Sequence, residues 1–203
     1  MNYLIHKLCE YEVKAASESI ASAFMHEPIQ TYFLPDERIR KEKSPEHFAI
    51  LIRYCMLFGE VYTSANAEGA VLWLRPGESE ITREKAEKGG LALLLPLVEK
   101  EALDRFNAVF EFLAPYHKKD AAEPHWYTFV IGVDPPFQGH GIGKALMNPV
   151  MEKACKTNTP IYLETADPAN IPFYQKLGFQ MVRELTHPGS GLKLWTLMKT
   201  FNS

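Results

Sequence analysis

Residues 127–144 read YTFVIGVDPPFQGHGIGK. Tyr127–Val133 is a run of β-branched and aromatic residues, the composition of a strand. Asp134-Pro135-Pro136 ends it, because proline cannot donate to a ladder. Gly139, Gly141 and Gly143 then alternate before an apolar stretch that begins a helix. A turn of this kind lets backbone N–H groups converge on an anion at a helix N-terminus. Two phosphate-binding patterns fail on spacing. The P-loop pattern is met at Gly143-Lys144 but has Gln138 for its first glycine and Ala145 for its hydroxyl. The dinucleotide fingerprint needs a glycine where Lys144 stands. A third pattern, Gln/Arg-x-x-Gly-x-Gly/Ala, is met by Gln138, Gly141 and Gly143.

That third pattern resembles the motif that follows the fourth strand in the GNAT superfamily of acyl-CoA-dependent N-acyltransferases. The string HWYTFVIGVDPPFQGHGIGKALMNPVM (residues 125–151) is similar to the puromycin acetyltransferase-like branch in particular. A second stretch, YLETADPANIPFYQKLGF (residues 162–179), resembles the next strand, loop and helix of the same superfamily, with Asn170, Phe173, Tyr174, Gly178 and Phe179 at the family's positions. The likeness covers the later part of the chain well and the earlier half by layout only. It implies a six- to seven-stranded, mixed, mostly antiparallel sheet flanked by helices and splayed between its fourth and fifth strands. The fold class is therefore α/β (α+β), in a single domain over residues 1–203.

The composition is compatible with that expectation. The chain has 203 residues, 46% of them hydrophobic, enough for one sizeable core. A net charge of −3 offers no bulk attraction to nucleic acid or an anionic membrane. Cys9, Cys55 and Cys155 show no CxxC spacing, which points to a reducing compartment and away from disulfides or zinc. Seven histidines are scattered without metal-ligand spacing, so no metal is expected. Met1–Lys7 reads as a strand and not as a signal peptide, and Leu91–Val98 is too short to span a bilayer. A cytoplasmic protein, monomer or homodimer, is the expectation.

Strands alternate with helices along the chain. A strand at Tyr3–Lys7 precedes a helix over Glu10–Met25, which Pro28 ends. A second helix is expected from Ser44, as N-cap with Pro45 at the first helical position, to Phe58. Glu60–Ser64 and Ala70–Arg75 form a hairpin. Thr82–Lys88 and Leu91–Pro115 read as helical, broken by Gly89-Gly90. The core follows: strand Trp126–Val133, helix Gly141–Lys156 with Pro149 inside it, strand Ile161–Thr165, helix Ile171–Leu177, and a closing hairpin of Gln180–Leu185 and Leu192–Met198.

Acyl-CoA brings a pantetheine arm with two amides and a diphosphate. Backbone groups at Ile131, Gly132 and Val133 could take the arm as an added strand. The amides of Gly139, His140, Gly141, Ile142, Gly143 and Lys144 would cradle the diphosphate, with the glycines leaving the approach clear and Gln138 bracing the loop or reaching a phosphate. The resemblance implies that Tyr174 points at the thioester sulfur as the acid for the leaving thiolate. Asn170 is expected to cap the helix and bond the arm. A primary amine near its ordinary pKa is about one part in a thousand neutral at pH 7, a cost of about 4 kcal/mol, so a base is needed. Glu164 is the candidate, to take the proton or hold the substrate ammonium; a water-mediated base is the alternative. Glu27, Tyr32, Phe33, Tyr62, Trp73 and Trp126 are candidates for the acceptor pocket, with core packing as the competing reading of each aromatic.

The expected activity is transfer of the acetyl group of acetyl-CoA, as co-substrate, to a primary amine of a small molecule. An acceptor amine on a protein or peptide is a variant of the same activity. A non-catalytic acyl-CoA-binding regulatory module and an NTP-binding domain are the competing classes; Tyr174 speaks against the first and Ala145 against the second.

Overall fold

The computed structural model describes residues 3–201. Met1 and Asn2, which open the first stretch read as a strand, lie outside them. The chain begins with strand β1 (Ile5–Lys7), a 3-10 turn, and helix α1 (Val13–Ala23). On α1, Val13, Ala16, Ser17, Ile20 and Ala21 are buried on one face at helical spacing. Pro28 does not simply end a helix. It opens a new one, α2 (Pro28–Phe33), with Glu27 as N-cap accepting from the amide of Gln30 at 2.8 Å.

Helix α3 (Glu37–Phe58) starts seven residues before Ser44. Asp36 is its cap, accepting from the amides of Arg38 and Ile39. Pro45 sits inside the helix, and buried Ser44 takes a hydrogen bond from Gln30 Nε2 at 2.8 Å. The Ser-Pro pair imitates a start signal; the cap at Asp36 outweighs it. Strands β2 (Gly59–Ser64) and β3 (Gly69–Leu74) form the hairpin. Helices α4 (Arg83–Lys88) and α5 (Leu94–Leu97) lead to the long α6 (Lys100–Asp120), which runs through Pro115 and so exceeds the expected bound. Then come β4 (Trp126–Val133), α7 (Ile142–Thr157), β5 (Ile161–Thr165), α8 (Ile171–Lys176), β6 (Gln180–Thr186) and β7 (Lys193–Lys199).

The seven strands form one sheet in the order β1-β2-β3-β4-β5-β7-β6. Every neighbouring pair is antiparallel except β4 and β5. That parallel pair joins only at Trp126↔Ile161, Tyr127↔Tyr162 and Thr128↔Leu163. Beyond Thr128 the two strands part, and β4 keeps β3 alone as a partner. The register on β3 shifts between Leu72 and Trp73, which leaves Phe129 as an extra residue on β4. Such a bulge bends its strand and re-aims the residues that follow.

Alternation divides the core by sheet face. On one face α1 and α3 cover Leu72, Leu74, Tyr127 and Tyr162. On the other, α7 and α8 cover Val71, Trp73, Trp126, Ile161 and Leu163. Each buried large apolar side chain contributes about 1.5–3 kcal/mol. Pro149 is accommodated within α7. No described helix is long and apolar enough to cross a membrane.

Gly59, at the junction of α3 and β2, tests this packing. A Cβ there would lie 1.6 Å from the Trp73 carbonyl oxygen, a backbone atom that cannot swing aside. Gly59→Ala is expected to lower unfolding stability by about 1–3 kcal/mol or more, read as a shifted denaturant midpoint. A midpoint equal to the wild type would show that the junction is not the constraint described.

Candidate active site

The opening between β4 and β5 exposes one edge of β4. The amide of Asp134 donates to Glu68 O at 2.8 Å, toward β3. In an antiparallel pair, successive residues turn their N–H and C=O groups to opposite sides. Ile131 and Val133 therefore face the open side, and Gly132 faces β3. Of the three residues expected to meet a pantetheine arm, Ile131 and Val133 turn backbone groups to the open side and Gly132 does not. Gly132 has a different reason to lack a side chain: a Cβ would sit 3.2 Å from Ala23 Cβ and 3.3 Å from Ile20 Cα of α1.

At the end of the open edge the chain turns through Asp134–Gly141 into α7. Gly139 has φ +78° and Gly141, the N-cap of α7, has φ +92°, backbone that side chains rarely adopt. Nothing lies within 4 Å of a Cβ built on either. Their role is to set the turn, and the space above it is open. Gly143 differs, since its Cβ would press on the Phe173 ring at 3.3 Å. The expectation that all three glycines clear an approach path is thus corrected for Gly143, which lets α8 pack on α7. The first amides of a helix have no partner within it, so Ile142, Gly143 and Lys144 offer donors beside those of Gly139, His140 and Gly141. Gln138 braces the turn by donating from Nε2 to Val133 O at 2.8 Å. His140 is exposed, its Nδ1 3.3 Å from Phe137 O.

Toward the vertex of the opening lies a cavity of about 100 Å3. Its lining brings together Glu27, Tyr127, Glu164, Asn170 and Tyr174, with Thr128 to Ile131 of β4. Asn170 does not cap α8. Its backbone is already helical, and its Nδ2 donates to Thr165 Oγ1 at 3.4 Å, while Asp167 caps the preceding turn through the Ala169 amide. Tyr174 is buried, and burial, with a lesser push from the Glu27 carboxylate, raises its pKa well above the ordinary value. It is a phenol, not a phenolate, at any physiological pH.

Glu27 arrives in the cleft from the α1–α2 connection. Arg40, itself buried, holds that connection by donating to Met25 O at 2.7 Å, Leu34 O at 2.5 Å and Pro35 O at 3.1 Å. Burial drives the Glu27 carboxyl up to about 7, against the lowering effect of the Gln30 and Ile29 amides; Asp167 adds a small upward push. The surrounding wall is aromatic, and it includes His47, which burial keeps neutral with a pKa of about 3.

Glu164 lies at the far end, on the same sheet face as Tyr162, as the alternation requires. Tyr127 donates its hydroxyl to Glu164 Oε2. His117 of α6 places Nδ1 3.3 Å from Oε1. His117 was not singled out in the sequence, because α6 reaches it only by continuing through Pro115. Tyr62, Trp73 and Trp126 belong to the core under α7 and do not reach the cleft. Phe33 is core as well, and Tyr32 packs with His187. Among the described residues, no group of three His, Cys, Asp or Glu side chains is placed to hold a metal ion.

Comparison with known proteins agrees with this geometry. The model of the acetyltransferase (GNAT) family matches residues 61–179. An uncharacterised N-acetyltransferase of Schizosaccharomyces pombe is 26% identical over 174 residues, spanning 83% of this chain and 70% of that protein. Three solved structures share the fold. A histone acetyltransferase HPA2-related acetyltransferase from Corynebacterium glutamicum has a TM-score of 0.68 at 18% identity, covering 100% of this chain and 98% of the other. Arylalkylamine N-acetyltransferase 2 from Aedes aegypti has a TM-score of 0.63 at 15% identity, covering 100% of both. The polyamine N-acetyltransferase of Drosophila melanogaster has a TM-score of 0.58 at 14% identity, covering 98% and 99%.

The raised pKa of Glu27 has a thermodynamic signature. Its folded value of about 7 exceeds the reference 4.5, so between those pH values the folded chain holds a proton that the unfolded chain has lost. The associated stability is full below the lower value and is lost as pH rises through the upper one. Glu27→Gln keeps an acceptor for the cap and removes the titration. Between pH 4.5 and about 7 the denaturation midpoint of the wild type should therefore fall relative to that of the variant. Parallel pH profiles would contradict a buried, raised carboxyl.

Proposed function

The chain belongs to the GNAT acetyltransferase family, and from that premise we propose that it moves the acetyl group of acetyl-CoA directly to the primary amine of a small molecule, within a ternary complex. One observation carries the reading. A single open strand edge runs from an amide-rich turn at one end to a cavity holding Tyr174 and Glu27 at the other.

The coenzyme fits that track. Its diphosphate would meet the amides of residues 139–144, where the space is clear at Gly139 and Gly141. Bonds from amides to a charged group contribute about 1.5–3 kcal/mol each. The arm's amides would pair with Ile131 and Val133, and Asn170 would bond it from the opposite side. The thioester then reaches the bulge at Phe129, beside the phenol of Tyr174.

Glu27 acts as base. A carboxyl raised to about 7 exchanges its proton near neutrality, which suits it to accept a proton from the amine. The freed amine attacks the thioester carbon. A C–N bond forms, and the tetrahedral oxyanion is met by a cleft-facing N–H of β4. Glu27, having released the ammonium's first proton to solvent, takes the second from the nitrogen of the tetrahedral intermediate. The C–S bond breaks to leave the neutral amide, Tyr174 gives its proton to the departing sulfur, and Glu27 returns that second proton to Tyr174. Each turnover thus releases one proton to solvent. Glu164, the candidate named from sequence, is tied to Tyr127 and faces His117. Those ties suit it to hold the ammonium in place more than to shuttle its proton. The approach passes under α6, which favours a small acceptor over a folded protein. The similarity of residues 125–151 to the puromycin acetyltransferase-like branch makes drug-like amines worth including among acceptors tested.

Tyr174→Phe should lower kcat about 100-fold or more at saturating acetyl-CoA while leaving coenzyme A affinity in place. Turnover within twofold of wild type would remove Tyr174 as the acid. The wild-type kcat/KM should climb with pH on a limb near 7, as Glu27 loses its proton. In Glu27→Gln that limb should vanish, and a limb that persists would assign the base elsewhere.

A further inference from the structure

The cleft cavity is too small for an acceptor of any length, but a second cavity adjoins it. This one measures about 600 Å3 and is walled by α6, residues 77–81 and residues 121–125. Phe110, Leu113, Tyr127, Phe129 and Glu164 line both cavities, so the two meet at the vertex where β4 and β5 part. Its middle is apolar. Its mouth carries Glu80, Glu111 and Glu123, all exposed, against the single cation Lys118. No salt bridge among the described residues uses any of those three carboxylates.

The inner end supplies an independent sign of a ligand. The Glu164 side chain is 6% exposed, and its Oε1 has no hydrogen-bond partner. The imidazole pair beside it is committed elsewhere on its outer side. His125 Nδ1 lies 2.8 Å from Glu123 O, and a carbonyl can only accept, so His125 donates there. Burial, the main cause, holds the His125 pKa down and keeps the ring neutral. Its Nε2 must then accept, and the donor is His117 Nε2 at 2.9 Å. The remaining nitrogen of His117 faces Glu164 Oε1 at 3.3 Å, short of a well-aligned bond. An acceptor oxygen is thus held still by Tyr127 on its partner atom and left open at the junction of the cavities.

We propose that this second cavity is the acceptor site and that it takes elongated amines with a positive group at each end. This rests on the acetyl-transfer reading given above. The reacting ammonium is received at Glu164, the carbon chain lies against Phe110, Leu113 and Phe129, and the distal cation is held by Glu80, Glu111 and Glu123. An acceptor with a carboxylate at its far end meets like charge and is rejected.

Butylamine, putrescine and γ-aminobutyrate share one carbon chain and differ at the far end. Their kcat/KM values, from thiol release with acetyl-CoA, should rank putrescine first and γ-aminobutyrate last, with about tenfold or more between those two. The difference should lie in KM and shrink with added salt. In the triple variant Glu80→Gln, Glu111→Gln, Glu123→Gln the spread should close to within about twofold, with KM for acetyl-CoA unchanged. Equal values in the wild type, or a preference that survives the triple variant, would overturn the assignment. If no amine releases thiol, calorimetry on the coenzyme A-loaded protein separates the two readings. Binding in the same rank order keeps this site and sinks acetyl transfer, whereas no binding of putrescine sinks the site as well.

Discussion

A strand with one satisfied edge and one open edge is the constraint on which the rest of the molecule depends. Unpaired backbone groups inside a protein are costly, so β4 must leave its outer edge accessible from Phe129 onward. The bulge at Phe129 makes this possible, because it keeps β4 paired to β3 while bending it away from β5. The parallel pairing survives for three residues and stops at Thr128 and Leu163. Elements from before and after β4 in the chain are arranged about that opening. The turn at residues 134–141 lies at its far end, α8 brings Tyr174 over it, and the α1–α2 connection lowers Glu27 into it from the other face.

Two arginines tie down parts of that arrangement. Arg40 binds three carbonyls of the α1–α2 connection and the approach to α3, so Glu27 stands on a fixed loop. Arg183 of β6 grips Asp120 at 2.5 and 2.6 Å through two nitrogens, which ties the end of α6 to the sheet. A fork-to-carboxylate pair of this geometry fixes direction as well as distance. The consequence is that His117, three residues before Asp120, is held over Glu164.

The parts legible in the sequence were those written in local spacing. Gln138, Gly141 and Gly143 announce a turn into a helix, and Tyr174 follows in a second local pattern; the sheet and its splay follow from the family resemblance that these two patterns carry. What was not legible depends on partners distant in the chain. Gly132 and Gly143 look like backbone-clearance glycines but are explained by Ala23 and Phe173. Ser44-Pro45 looks like a helix start, yet Asp36 caps first and Ser44 is spoken for by Gln30. Glu27 drew notice only as a pocket candidate, since its raised pKa comes from burial that no spacing records. His117 had no local signal at all, because Pro115 argued for ending the helix before it.

Two carboxylates in one cleft invite the question of why both are needed, and their surroundings answer it. Glu27 takes its bonds from backbone amides, and its wall is aromatic, so its charge is costly and its proton is exchangeable near neutrality. Glu164 takes a phenol's hydrogen bond on one oxygen and faces an imidazole on the other, so its field is anchored and its position fixed. A base must give up its proton each cycle, whereas an anchor for a cation must not move. On the proposed reading the two tasks fall to carboxylates at the two ends of the vertex. On that reading the anchor would also orient the acceptor, because an ammonium it holds presents its nitrogen toward the open edge of β4.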